Sequence, residues 1–170
     1  MIASNDAAAL PALTNPLSRI DRAESRNLGS RPKLLLVDDE PTVGRMLFHA
    51  AEECGYRAIF ASNAAAFRCQ YEAENPAVLL LDLSLPGGDG IELLRFLAER
   101  NCRSPILIVS GHDRRVVESA KRLGVALGLR MGGCLTKPVR VHELAQALER
   151  SHQDSREEGG GDDRHICFGS

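Results

Sequence analysis

A chain of 170 residues, 44% of them hydrophobic, has material for one domain with spare length at its ends. Its 21 Lys and Arg against 23 Asp and Glu leave a net charge of −2, which gives no general pull toward nucleic acid or an anionic membrane. Aliphatic runs fall far short of the ~20 residues that span a bilayer, the N-terminus lacks the basic start and apolar centre of a secretion signal, and five cysteines (Cys54, Cys69, Cys102, Cys134, Cys167) without a C-x-x-C pair fit a soluble protein of a reducing cytoplasm.

Residues 1–31 are rich in Ala, Ser, Asn, Arg and Pro without sustained periodicity, and read as a flexible leader. From Pro32 the texture changes. "KLLLV" (33–37) is a continuous apolar run, the pattern of a strand buried on both faces. "PTVGRMLFHAAEEC" follows as a helix, with Pro41 in its first turn and Gly55 as its stop. "RAIFA" (57–61) is a second strand candidate, and Asn63 is placed to cap the helix "NAAAFRCQYEAEN", which ends before Pro76. "AVLLL" (77–81) leads to a helix over "DGIELLRFLAERN", with Asp89 as its expected N-cap. "PILIV" (105–109), "DRRVVESAKRLGVALGL", the weaker "GCLT" (133–136) and "RVHELAQALERSH" complete the alternation. Residues 153–170, "QDSREEGGGDDRHICFGS", read as a flexible acidic, Gly-rich tail. Repeated strand–helix alternation implies an α/β fold: a parallel sheet with helices on both faces, joined by right-handed crossovers.

Such sheets bind ligands at the carboxyl ends of their strands. There the apolar runs end on Asp38-Asp39, Asp82, Ser110 and Lys137, so three carboxylates, a hydroxyl and an ammonium are expected in one cleft. Adjacent carboxylates repel unless something cationic joins them. An all-oxygen set without thiol or imidazole suits Mg²⁺ or a similar hard cation. A lysine opposite a metal, with a serine hydroxyl nearby, matches the needs of phosphoryl transfer, in which cations surround the equatorial oxygens of an aligned phosphoryl group. An Asp carboxylate can itself be the nucleophile. Asp82 is the natural candidate, since the Asp38/Asp39 pair can hold the cation from one side.

The ordered set "LLLVDDEPTV", "LLLDLSLPGGDGIELL", "ILIVSG" and "CLTKPV" resembles the receiver domain of two-component response regulators, over about residues 32–152. The resemblance implies a flavodoxin-like, doubly wound five-stranded parallel sheet in the order 2-1-3-4-5 with five helices. It implies Asp82 as phosphoacceptor, Asp39 as a direct Mg²⁺ ligand, Asp38 acting on the metal largely through water, and the backbone carbonyl of Ser84 completing the protein ligands with Asp82. Lys137 would contact the phosphoryl group, Ser110 would be the switch hydroxyl, and Gly111 would leave room for the phosphoryl group. Pro138 would follow a cis peptide bond. The implied partners are a histidine kinase or phosphotransfer protein and an unknown downstream protein, with neither nucleic acid nor membrane. The domain would not be a metabolic enzyme, having only weak Mg²⁺-dependent self-phosphorylation and dephosphorylation.

Two departures stand out. Receivers usually carry an aromatic three residues before the lysine, where this chain has Cys134, expected to be a small buried filler. The stretch "SAKRLGVALGLRMGGCLTKP" is a few residues longer than in most receivers and resembles those that precede EAL-type cyclic-di-GMP phosphodiesterase domains. No such domain follows in this sequence, so a stand-alone receiver or a truncated relative is expected. The alternative is a phosphorylation-independent protein-binding module on the same fold, which Cys134 favours and the complete acidic site opposes. His112 is expected at the cleft mouth, and His49, His142, His152 and His165 at the surface.

Overall fold

The computed structural model describes residues 31–157 apart from Gly87, Gly88 and His112, with side chains through Ser151. The leader up to Ser30, the tail beyond Glu157, and the expected placements of His112, His152 and His165 lie outside what is described.

Among the described residues ten elements alternate: β1 (Lys33–Val37), α1 (Pro41–Glu53), β2 (Arg57–Ala61), α2 (Ala64–Glu74), β3 (Val78–Asp82), α3 (Asp89–Glu99), β4 (Ile106–Ser110), α4 (Arg114–Ala126), β5 (Met131–Thr136) and α5 (Val141–Glu157). The strands form one sheet ordered β2-β1-β3-β4-β5, all parallel, as the resemblance implies. Alternate residues of a strand face opposite sides, so each unbroken apolar run feeds two cores. From β1, Leu35 and Val37 pack with Phe67, Leu93, Leu94 and Leu97 on one side. Leu34 and Leu36 pack with Leu47, Ala51, Leu144 and Leu148 on the other. Central β3 is buried at every residue, including its terminal Asp82.

Local signals set most boundaries. Pro41 opens α1, and Gly55, at φ 87°, follows its end. The carbonyls there are held from outside the helix: Arg31 donates to Glu52 O at 2.6 Å and Gly55 O at 3.2 Å, and pairs with the Glu52 carboxylate at 2.8 Å. Asn63 caps α2, its side chain accepting from Ala66 N at 2.9 Å, and Asn75 ends it in the left-handed region at φ 47°. Asp113 caps α4 through Arg115 N at 2.8 Å.

Three expectations need correction. Asp89 lies inside the first turn of α3 and is not its cap; a carboxylate there still faces the positive end of the helix dipole. Strand β5 starts at Met131, two residues before the expected "GCLT". Its register against β4 slips between Ile106 and Leu107, so that Gly132 is an extra residue between the pairs Ile106–Met131 and Leu107–Gly133. Glycines hide a strand from an apolar-run criterion. Third, α5 continues past the expected end at His152 to Glu157.

Candidate functional site

The sheet delivers Asp38 and Asp82 from neighbouring strands, β1 and β3, to its carboxyl edge. Both are fully buried. Each is fixed by the same local device. Asp38 Oδ1 accepts from the backbone N–H of Glu40 at 2.8 Å, and Asp82 Oδ1 from that of Ser84 at 2.7 Å. One oxygen of each carboxylate is thereby occupied, and the second turns toward the cleft.

Lys137 fills the space between them. Its Nζ donates to Asp82 Oδ2 at 2.7 Å and lies 2.9 Å from Asp38 Oδ2, with only 13% of its side chain exposed. Burial, the largest single influence, pulls the ammonium down, but hydrogen bonds and charge attraction from Asp82 and Asp38 outweigh it and hold Lys137 well above the ordinary lysine range. For Asp38 the balance runs the other way. Burial raises its carboxyl above the usual range, and Lys137 and the Glu40 N–H offset only part of that rise. The lysine is delivered by the loop after β5: its N–H donates to Ser110 O at 3.0 Å, and the Lys137–Pro138 peptide is cis, as the resemblance implies.

Ser110 ends β4, one residue beyond the Asp82–Val109 pair, and is buried. Asp39 is exposed, yet its carboxylate can come within 4.8 Å of those of Asp38 and Asp82. Asp38 Oδ2 is buried, with the Lys137 ammonium 2.9 Å away as its partner. Three carboxylates gathered at one edge, two of them buried, with a single ammonium between them fit a hard divalent cation. The donor set is wholly oxygen, which suits Mg²⁺ and disfavours softer metals.

The sequence reading therefore placed Asp38, Asp39, Asp82, Ser110 and Lys137 on one edge, and Ser84 beside them. It omitted two residues. Glu40 reaches Lys137 Nζ at 3.4 Å, and the run "DDE" already contained that third carboxylate. Gly90 lies against the site's backbone: a Cβ there would come 2.7 Å from Asp82 O and 2.7 Å from Leu83 Cα. Gly111, expected to leave room, is not sterically required by the protein itself; a Cβ would meet Lys137 Cβ at an ordinary 3.9 Å.

Cys134 is exposed and not a buried filler. It lies on β5, an edge strand with a neighbour on one side only, and pairs with Ile108 of β4. His49 and His142 are exposed, as expected.

A parallel 2-1-3-4-5 sheet with buried acidic residues and a lysine at its carboxyl edge is the flavodoxin-like fold with its site at the expected end of the strands. The chain belongs to the response regulator receiver domain family, whose model matches residues 34–149. It is similar to the positive alginate biosynthesis regulatory protein of Pseudomonas aeruginosa, 31% identical over 72% of this chain and 48% of that protein. It is also similar to the transcriptional regulatory protein TrcR of Mycobacterium tuberculosis, 31% identical over 81% of this chain and 50% of that protein. The chain thus spans about half the length of these curated relatives. A solved response regulator from Colwellia psychrerythraea superposes with a TM-score of 0.64 at 27% identity, covering 73% of this chain and 99% of that one.

Receivers act in two-component systems, taking their input from histidine kinases or phosphotransfer proteins, and bind Mg²⁺ in an acidic pocket. The expected exclusion of nucleic acid is not supported: one of these relatives is by name a transcriptional regulator. Among the described residues, no helix is long and apolar enough to cross a membrane.

Proposed function

We propose that residues 32–152 form a phosphoacceptor receiver in which Asp82 takes a phosphoryl group from a histidine kinase or phosphotransfer protein, with output through contact with another protein. The observation that carries this reading is Lys137 lodged between two fully buried carboxylates from adjacent strands. Evolution of such a costly arrangement has a simple chemical use: a nucleophile held in place with a cation already beside it.

In the proposed step, an Asp82 oxygen forms a bond to phosphorus as the donor's N–P bond breaks, and the departing imidazole keeps that electron pair and takes up a proton. Lys137 passes from the Asp82 carboxylate to an oxygen of the arriving phosphoryl group. Ser110, a residue along from Asp82's register partner, donates its hydroxyl to another. When bound by Asp38, Asp39, Asp82 and the Ser84 carbonyl, Mg²⁺ supplies the positive charge that neutralises the phosphoryl oxygens. Loss of the group by attack of water completes a slow cycle. No ring stands at position 134, so the coupling of Ser110 to the surface would not use an aromatic side chain at that position.

Intact mass after incubation with Mg²⁺ and acetyl phosphate tests the reading. One phosphoryl adduct is expected in the wild type, dependent on Mg²⁺ and absent from Asp82→Asn. An adduct that persists in Asp82→Asn would place the acceptor elsewhere. If the wild type shows none, beryllium fluoride, which mimics the phosphoryl group without hydrolysing, separates rapid loss from failure to accept; no response to it would leave the reading without support.

A further inference from the structure

Glu40 stands at the N-cap position of α1, but its side chain makes no cap hydrogen bond. Helix starts favour Ser, Thr, Asp or Asn, whose short side chains reach the free N–H groups. Here the longer carboxylate turns away from its own helix. Its Oε1 lies 3.4 Å from Lys137 Nζ, a contact across 97 residues of sequence, while 63% of the side chain is exposed.

Lys137 therefore has three carboxylate neighbours of two kinds. Asp38 and Asp82 are closed off from solvent, whereas Glu40, like Asp39, forms the rim. With all four carboxylates ionised, one ammonium leaves the site at a formal −3, and a divalent cation brings it to −1. An anionic phosphodonor approaching buried Asp82 meets the charge at that rim first.

We infer that Glu40 is a positioning and charge-selecting residue of the site. It draws the Lys137 ammonium toward the rim and favours entry of the cation over entry of a free dianion, so that a small dianionic donor is held back. The part that concerns the donor rests on the phosphoacceptor reading above; the part that concerns the cation does not.

The charge argument requires opposite effects on the two ions, which a merely structural role would not give. Glu40→Gln should weaken binding of Mg²⁺ alone, measured by calorimetry on the full chain, by about three- to tenfold at low ionic strength. The same variant should take label from acetyl phosphate at saturating Mg²⁺ about three- to tenfold faster, followed by intact mass. Both effects should become smaller as salt is raised from low ionic strength toward about 0.5 M, since the approach of either ion from solvent is screened beyond a Debye length. Glu40→Asp, which restores the charge, should return both values toward wild type. The inference is overturned if Mg²⁺ affinity is unchanged, if both ions respond in the same direction, or if salt leaves the differences intact. A wild type that takes no label at all would count against the phosphoacceptor reading, and the Mg²⁺ titration would still decide the role of Glu40.

Discussion

Replacing Lys137 with Met is expected to destabilise the protein at pH 7 without Mg²⁺ by about 3–4 kcal/mol, in the range usual for removing one partner from a buried ion pair. Methionine keeps the aliphatic stem, so lost packing contributes little. What remains is two carboxylates with no exposed surface and no cation between them. There is an upper bound. Asp38 can escape by taking up a proton, and forcing an ordinary aspartate to do so at pH 7 takes about 4 kcal/mol. Burial already holds Asp38 above its usual range, and Lys137 opposes that rise; without the lysine the rise is less opposed. The sign of the pH dependence follows. A carboxyl raised in the folded state binds protons that the unfolded chain does not, so stability increases as pH falls toward the ordinary range. Thermal melts should show a deficit of roughly 10–20 °C at pH 7, narrowing steadily down to about pH 4. Mg²⁺ should narrow it too, because without the lysine the site is one charge more negative and the cation binds and stabilises the folded variant more than the folded wild type. A variant that melts like the wild type at pH 7 without Mg²⁺ would mean that Lys137 does not compensate these charges.

The fold was largely legible because the strands are unbroken apolar runs between capped helices, and Pro41, Asn63 and Asn75 stand where chain geometry needs them. The site was legible because a parallel sheet brings the residues that end its strands to one edge. The misses have physical causes. The start of β5 was hidden in "MGG", where glycine contributes no pattern and the bulge at Gly132 disturbs the register. Cys134 was assigned by residue type, but burial at an edge strand depends on what covers the edge. Glu40 carries no sequence signal of its own; only the cross-sheet approach of Lys137 singles it out. The purpose of Gly90 is invisible in sequence, since it depends on how closely α3 lies over the end of β3.

That closeness leads to a second large effect. In Gly90→Ala the new methyl would stand 2.7 Å from Asp82 O, 2.7 Å from Leu83 Cα and 3.0 Å from Leu83 O. All three are backbone atoms, so no side chain can rotate aside. Two opposing terms act on stability. Alanine gains about 1 kcal/mol over glycine inside a helix, while overpacking a tight contact costs about 1–3 kcal/mol. The net change is therefore small, about 0–2 kcal/mol of destabilisation. Function should respond more. To relieve the clash, α3 or the end of β3 must shift by several tenths of an ångström, and the end of β3 carries Asp82 with its 2.7 Å bonds to Ser84 N and Lys137 Nζ. Misplacing a reacting group by about 1 Å can slow a reaction roughly a hundredfold, so labelling by acetyl phosphate should fall at least about tenfold while the melting temperature drops only a few degrees. Gly111→Ala is the control for stability, because its Cβ would make an ordinary 3.9 Å contact. A Gly90→Ala protein that is more stable than wild type and takes label at the wild-type rate would show that α3 can give way freely. The glycine would then be a matter of helix sequence and not of holding Asp82 in place.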